Sequence, residues 1–348
     1  MLLTIVSFII VFSLFAFVHE FGHFIVGKLS GIKVLEFSLG FGPRFFRFQR
    51  GSTVYSLRLL PLGAFVKFAG LDRPEDPAED IRDDDPASFR NKPILTRIAT
   101  VFAGPFMNFV AALVILGLIF SVNGLPTTEV QSINPGSPAE RGGMLAGDRI
   151  VEIAGARVRS VNDVRERVMT SAGKEIAITV ERDGQRISCL VIPEKDPATG
   201  NGLIGVTLKE TWEAAPLKES IAYAWDFTRK VTVGLVQTLY QIVSGRARPE
   251  VAGPLGIAQM VGQTARLGFI NLLFLTALLN INLGILNLLP IPILDGGWIL
   301  MLLVEAIRRK PLTESQEAFA RLIGIATLGL IFLFATMSDI SRITQRLM

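Results

Sequence analysis

Apolar residues along the chain are gathered into four long stretches separated by polar segments. The stretches cover residues 1–27, 98–122, 267–304 and 322–338. A helix needs about 20 mostly apolar residues to cross the hydrocarbon core of a bilayer, and each stretch meets or approaches that length. The second stretch carries no charge, and the third holds a single charged residue, Asp295. The pattern predicts a polytopic α-helical membrane protein with about four transmembrane helices.

Two segments admit other interpretations. Residues 1–27 have the length of a signal peptide, but they lack a basic start and a small-residue cleavage pattern, so we expect a retained helix. Residues 217–243 could supply a fifth span. Their uncharged part, Val231 to Val243, is only about a dozen residues long, which favours an amphipathic helix on the membrane surface. Residues 197–266 are therefore interpreted as an amphipathic helical linker.

Basic residues set the expected orientation. Lys and Arg are frequent in the connection formed by residues 28–97, and the loop of residues 305–321 contains Arg308, Arg309 and Lys310. Short connections rich in Lys and Arg stay in the cytoplasm. The segment between the second and third spans is then expected on the periplasmic side, together with both termini.

Residues 123–196 predict a compact, mostly β module on that outer side. Short strands and one helix are expected in it, at residues 148–153, 161–169, 176–180 and 187–192. The dipeptide Asp183-Gly184 between the last two runs is a strong hairpin signal. A structural β domain with no ligand remains an alternative.

Composition narrows the class of protein further. Half of the 348 residues are apolar, and the net charge is only +4. No basic cluster alternates with aromatic residues, so we expect no nucleic-acid partner. The single cysteine, Cys189, excludes an internal disulfide framework and a cysteine-based zinc site. The only two histidines stand four residues apart in the first apolar stretch.

Those histidines form the motif His19-Glu20-Phe21-Gly22-His23, which fits the HExxH pattern on a helix. A separation of four residues places both imidazoles on one helical face, where they can bind one zinc ion. Glu20 can take a proton from water activated by that metal. Polar residues hydrogen-bonded inside a helix bundle are the alternative, but ionisable groups within a membrane span indicate a functional site.

A catalytic zinc site usually has three protein ligands, and the third ligand here must be a carboxylate because no other histidine exists. Asp295 is the acid within the third apolar stretch, at a depth similar to that of the motif and near the cytoplasmic side. Pro290 and Pro292 interrupt the helix there, and Gly296 and Gly297 permit close backbone approach. Such an opening could present Asp295 to the metal and leave room for an unwound substrate, so Pro290 and Pro292 are expected among the substrate-binding residues. A kinked span with a buried aspartate bonded to backbone is the alternative.

The motif at residues 19–23 and the run Asn-Leu-Leu-Pro-Ile-Pro-Ile-Leu-Asp-Gly-Gly at residues 287–297 together resemble the site-2 protease family, in particular its regulator-of-sigma-E protease branch. Residues 63–67 resemble the membrane-associated β segment of that branch, and residues 102–109 resemble its second-span motif. The run from Gly136 to Ile150 resembles the start of a bacterial protease-type PDZ domain.

The resemblance implies an intramembrane zinc metalloendopeptidase of the bacterial inner membrane, with one zinc ion per chain and Glu20 as the general base. Its substrates would be the transmembrane segments of single-span proteins, such as anti-sigma factors or remnant signal peptides. Asn282 and Asn287 match family asparagines thought to hold the substrate backbone or the oxyanion. Well-known members of the branch carry two tandem PDZ domains, whereas this chain has room for one, which would bind peptide tails or exclude bulky proteins.

The connection between the first two spans has a β pattern. Residues 53–59 alternate, and residues 65–68 form a second short run, so a hairpin that dips into the bilayer could hold a substrate strand at its edge. A cytoplasmic hairpin that only caps the bundle is equally compatible with the pattern. The acidic run from Glu75 to Asp85 is interpreted as a solvated loop.

Two other functions compete with proteolysis. A non-catalytic membrane adaptor would use its PDZ domain to bind partners and would not need Glu20. A transporter with broken helices would show internal repeats and polar residues in several spans. No repeat is visible, and the ionisable residues lie in two spans only.

Overall fold

The computed structural model describes residues 2–71, 85–197, 199–209, 212–247 and 253–347. Most of the acidic run, from residue 75 to residue 84, lies outside the described residues. The chain forms two compact units, which are Met1–Leu116 with Trp225–Met348, and Gly117–Ala224.

The α-helices of the described residues, in chain order, are α1 (Leu2–Leu29), α2 (Ile94–Asn123), α3 (Pro138–Arg141), α4 (Val161–Met169), α5 (Leu217–Val243), α6 (Pro254–Arg266), α7 (Phe269–Asn287), α8 (Asp295–Arg308) and α9 (Glu314–Leu347). The β-strands are β1 (Val34–Arg50), β2 (Thr53–Phe68), β3 (Leu125–Pro126), β4 (Val130–Ile133), β5 (Arg149–Ile153), β6 (Ala156–Arg157), β7 (Ile176–Arg182), β8 (Gln185–Val191), β9 (Glu194–Lys195), β10 (Gly202–Leu203), β11 (Val206–Leu208) and β12 (Trp212–Glu213).

Among the described residues, four helices are long and apolar enough to cross a membrane: α1, α2, α7 and α9. The prediction of a polytopic helical membrane protein is confirmed. The helix α5 is continuous over 27 residues but does not belong to this group. The apolar stretch of residues 267–304 is two helices, α7 and α8, because Pro290 and Pro292 in the intervening turn cannot donate helix hydrogen bonds.

Strands β1 and β2 form a long antiparallel hairpin that curls back on itself. The first half of β1 pairs on both sides with β2, so that Phe37 lies opposite both Tyr55 and Val66. Gly40 and Gly63 adopt positive φ angles of +83°, which lets the strands bend at these points. The end of β2 therefore pairs with β1 along one edge, and no other strand of the described chain pairs with it.

A buried acid holds this curled hairpin together. Glu36 is 3% exposed. Its carboxylate accepts hydrogen bonds from Arg44 at 2.9 Å, Arg58 at 2.8 Å and Ser56 at 2.5 Å. Charge-assisted bonds of this kind are stronger than neutral ones, and they offset the cost of burying the charge.

The far end of the hairpin exposes a continuous set of large apolar side chains, which are Phe41, Phe45, Phe46, Phe48, Leu59 and Leu60. Exposed apolar patches of this kind mark contact with another apolar phase or molecule. In a chain with four candidate spans, the hydrocarbon of the bilayer is such a phase.

The second unit, Gly117–Ala224, contains the β-rich module. Its largest sheet has the strand order β6-β5-β7-β8, and Ile150, Ile153, Ile178 and Val180 form the centre of its core. Strand β11 pairs with β4. The module therefore continues past residue 196, where the sequence pattern placed its end, because Val206 and Leu208 pack against the same core. These strands are too short to produce a visible alternation.

An ion pair stabilises the module at the start of β5. Asp148 is completely buried, and it accepts hydrogen bonds from Arg182 Nε at 2.6 Å and from the backbone N–H of Leu145 at 2.8 Å. Burial raises the pKa of Asp148, but the bonds from Arg182 and Leu145 outweigh burial and hold the pKa below its usual value. The ionised carboxylate is therefore the form that the fold stabilises.

Replacing Asp148 by Asn should lower the free energy of unfolding of this module by about 2–4 kcal/mol, because Arg182 then faces a neutral partner. Since the folded-state pKa of Asp148 is lowered, its contribution is complete above the unfolded-state pKa and disappears as the pH falls through the folded-state value. Urea denaturation of a fragment of residues 124–214 at neutral and acid pH measures both effects. The exposed neighbour variant Glu181→Gln is the control, and equal losses for the two variants would contradict this account.

Candidate metal centre

The metal centre begins with a close contact between α1 and α2. A Cβ atom on Gly22 would lie 2.2 Å from the backbone oxygen of Ala103, and one on Gly104 would lie 2.3 Å from His23 Nε2. Small residues allow two membrane helices to approach closely enough for backbone contact. The two glycines therefore make room for the imidazole rings between the helices.

Three side chains converge in this space. The distance between His19 Nε2 and Asp295 Oδ2 is 3.1 Å, and that between His23 Nε2 and Asp295 Oδ1 is 3.4 Å. The two Nε2 atoms are 3.2 Å apart. One ligand atom from each residue lies within 4.8 Å of the others. The spacing of four residues on α1 and the first position of α8 thus bring the three predicted ligands together.

The residues fit a zinc ion. His23 Nδ1 lies 2.8 Å from the backbone oxygen of Thr100, which can only accept, so Nδ1 carries the proton and Nε2 presents its lone pair. Asp295 Oδ2 is buried, and in the described part of the chain it makes no hydrogen bond apart from its 3.1 Å contact with His19 Nε2. The Nε2 atoms of His19 and His23 and the carboxylate of Asp295, beside an open cavity, are the residue types and number of ligands found in catalytic zinc sites.

Asp295 owes its position to the turn between α7 and α8. Ile293 has a φ angle of +99°, which β-branched residues rarely adopt. Gly296 and Gly297 pack so closely on the turn that a Cβ on either would lie within 2.3 Å of a backbone oxygen. The turn is therefore folded tightly under the start of α8. A helix N-terminus also favours the negative charge of Asp295.

Glu20 stands beside the three ligands without replacing any of them. Its Oε2 accepts a hydrogen bond of 3.0 Å from the backbone N–H of Val66, on the free edge of β2. A cavity of about 250 Å³ adjoins Glu20, the two histidines and Asp295. Its remaining wall includes Val66, Phe68, Asn287, Leu294 and Trp298. The edge strand and the α7–α8 turn thus border the same cavity.

The other predicted substrate-binding residues have different surroundings. Asn287 Nδ2 lies 3.4 Å from His19 Nδ1 and from His19 Nε2, so Asn287 reaches the centre. Asn282 is half-buried on α7, and within the described chain it does not border the cavity. Pro290 is exposed and Pro292 is half-buried. Both belong to the turn, although neither borders the cavity in the described residues.

Three contacts at the centre were missed by sequence reasoning. They are the backbone oxygen of Thr100, the backbone N–H of Val66 and the side chain of Asn108, which lies 3.1 Å from His19 Nδ1. Backbone contacts leave no signal in residue types. Asn108 belongs to the run of residues 102–109 that resembles the second-span motif and is polar within an uncharged span, but the sequence analysis gave it no role.

Comparison with solved structures gives matches that cover about a quarter of the chain. The chain is similar to the PDZ domain of the SdrC-like protein from Listeria innocua, with 22% identity and a TM-score of 0.22, over 24% of this chain and 94% of that one. It is similar in the same way to the PDZ domain of the SdrC-like protein from Listeria monocytogenes, with 24% identity and a TM-score of 0.22, over 25% and 87% of the two chains.

Comparison with curated proteins gives matches to nearly the whole chain. The regulator of sigma-W protease RasP of Bacillus subtilis is 32% identical, over 98% of this chain and 99% of RasP. The zinc metalloprotease RasP of Bacillus licheniformis is 34% identical over the same shares. Residues 7–331 match the model of Peptidase family M50. This chain therefore belongs to peptidase family M50.

Proposed function

We propose that this protein is an intramembrane zinc metalloendopeptidase that cleaves transmembrane segments of other membrane proteins. The observation that carries the proposal is the convergence of His19 and His23, on the candidate membrane helix α1, with Asp295 at the first position of α8. One ligand atom of each lies within 4.8 Å of the others, and Glu20 stands beside them. Ionisable side chains within a membrane span carry a high free-energy cost and therefore indicate a functional site. The M50 relatives include one named as the regulator of sigma-W protease, which fits substrates of this class.

The residues of the centre have distinct roles in the proposed mechanism. His19, His23 and Asp295 would hold zinc, which when bound would supply Lewis-acid activation of water and of a carbonyl near neutral pH. Glu20 removes the proton from the attacking water and delivers it to the nitrogen of the leaving amine. The side-chain amide of Asn287 donates a hydrogen bond to the oxygen that becomes negative in the transition state.

The substrate must be extended, because a helix hides each scissile carbonyl in its own hydrogen bonds. No strand of the described chain pairs with the outer edge of the end of β2, next to the catalytic cavity, and an extended segment can add to such an edge. The Val66 N–H at this edge is bonded to Glu20 Oε2. A bound strand would compete for that donor and leave Glu20 free to act on water.

The proposed orientation places the catalytic centre near the cytoplasmic side. The basic connections of residues 28–97 and 305–321 face the cytoplasm under the positive-inside rule, and the β-rich module and both termini face the periplasm. The histidines lie near the cytoplasmic end of α1 in this arrangement. The enzyme would then cut its substrates close to their cytoplasmic ends.

The module is proposed to bind peptide tails in the manner of a PDZ domain. A cavity of about 620 Å³ lies between α4 and the segment of residues 202–208, in the unit Gly117–Ala224. Val164 and Val168 give it apolar walls, and the exposed Arg165 lies at its border. The segment provides backbone groups for a peptide strand, so the preferred ligand is an extended tail with an apolar end and an acidic residue nearby.

Replacing Glu20 by Gln should reduce cleavage of a tagged single-span substrate in membranes by about 10²–10⁴-fold while zinc content is unchanged, because Glu20 moves protons and does not bind metal. Asp295→Asn should lose both zinc and cleavage, since a charged ligand is removed. Immunoblots of the substrate and metal analysis of the purified protein measure the two effects. Unchanged cleavage by Glu20→Gln would favour the adaptor, for which Glu20 is dispensable.

Replacing Gly104 by Ala should abolish zinc binding although no ligand is changed, because the new methyl group would lie 2.3 Å from His23 Nε2. The imidazole ring of His23 would have to move to make room for that methyl group. Gly329→Ala is the matched control, since that glycine of α9 faces open space. Metal analysis of both purified variants is the measurement, and normal zinc content in Gly104→Ala would refute the close packing.

The test peptide has an apolar carboxyl-terminal residue and an acidic residue upstream. Replacing Arg165 by Glu should weaken its binding by about five-fold or more, because the attraction between Arg165 and the acidic residue becomes a repulsion. Fluorescence anisotropy of the labelled peptide with the full chain in detergent gives the dissociation constants. Glu166→Lys, the exposed neighbour on α4, is the control. If the wild-type chain binds no such peptide, the module acts as a size filter or a structural domain.

A further inference from the structure

Asn108 is a fully buried polar residue of α2 whose hydrogen bonding is incomplete. Its Nδ2 lies 3.1 Å from His19 Nδ1, and its Oδ1 is buried without a hydrogen-bond partner in the described residues. With the carboxamide in this orientation, Nδ2 donates to His19 Nδ1. The proton of the neutral imidazole must then be on Nε2, and Nε2 has no lone pair left for a metal.

A half-turn of the same carboxamide changes the outcome. Oδ1 would then face His19 Nδ1 and accept its proton in a hydrogen bond, so that Nε2 presents its lone pair towards Asp295. No group of the described chain holds Oδ1 in its present place, so the half-turn breaks no hydrogen bond to that oxygen. Histidine ligands normally donate their second N–H to such an acceptor, which fixes the tautomer and the ring orientation.

Both histidines contact α2 through their Nδ1 atoms. His23 Nδ1 faces the backbone oxygen of Thr100 at 2.8 Å, and His19 Nδ1 faces the side chain of Asn108. Thr100 and Asn108 are eight residues apart, which is about 12 Å along a helix. Backbone carbonyls point towards the C-terminus of a helix, whereas side chains tilt towards its N-terminus. The two acceptors therefore converge towards the level of Gly104, where the imidazoles lie.

We propose that Asn108 is a positioning residue for His19, and that its carboxamide oxygen accepts the Nδ1–H bond that directs Nε2 to the metal. This inference rests on the proposed zinc chemistry. It assigns a role to the asparagine of the second span that neither the ligand motif nor the third-span motif provides.

The test compares zinc affinity in the full-length protein purified in detergent, measured by competition with a chelator, together with the visible spectrum of the cobalt-substituted protein. Asn108→Leu should weaken zinc binding by about 10–100-fold and alter the cobalt spectrum, because the acceptor is lost. Asn108→Asp should keep wild-type affinity within a few-fold, because a carboxylate can only accept and so favours the required tautomer. If Asn108→Leu does not accumulate, Asn108→Ala is measured in its place.

The matched control is Asn280→Leu. Asn280 is also completely buried, and its Oδ1 also lacks a partner in the described chain, but it lies on α7 and bonds to the backbone oxygen of Thr276. This variant should keep wild-type zinc affinity. Equal losses in Asn108→Asp and Asn108→Leu would overturn the acceptor role, as would unchanged affinity in Asn108→Leu. Absence of zinc binding by the wild-type protein would instead contradict the proposed function itself.

Discussion

The close contact of α1 and α2 at Gly22 and Gly104 is the constraint on which the catalytic centre depends. It brings the backbone of α2 against the face of α1 that carries the histidines, so that Thr100 can accept from His23. A methyl group at either glycine would occupy space already taken by backbone or by an imidazole. The arrangement of the ligands is therefore decided by two positions that carry no side chain.

The apolar surroundings of the centre require its polar groups to be paired. Buried polar groups in a helix bundle must be paired, because no water is available to satisfy them. His23 and Glu20 are paired with backbone groups of α2 and β2, respectively. Asp295 Oδ2 has no such partner in the described chain. The carboxylate of Asp295 thus lies at the point where a cation would meet both Nε2 atoms.

Much of this architecture could be predicted from the sequence, and the remainder could not for identifiable reasons. Span lengths and the four-residue spacing of His19 and His23 are local properties, and the scarcity of acids in the third stretch made Asp295 a clear candidate. The two-sided pairing of β1 depends on positive φ angles at Gly40 and Gly63, which residue patterns do not reveal. The contact between Asn108 and His19 joins positions 89 residues apart, so no window of the sequence contains both.

The interrupted third apolar stretch and the curled hairpin both contribute non-helical backbone to the catalytic cavity. A transmembrane substrate arrives as a helix, and when it unwinds its backbone N–H and C=O groups lose their helix hydrogen bonds. A cavity walled only by helices would offer no backbone groups as new partners. Here one wall is the free edge of β2, and another is the turn between α7 and α8, where Leu294 precedes Asp295. Both walls are non-helical backbone, which a membrane tolerates only where protein or a cavity surrounds it. The prolines that interrupt the span therefore do more than place one ligand, since the turn that contains them supplies non-helical backbone to the same cavity as the edge strand.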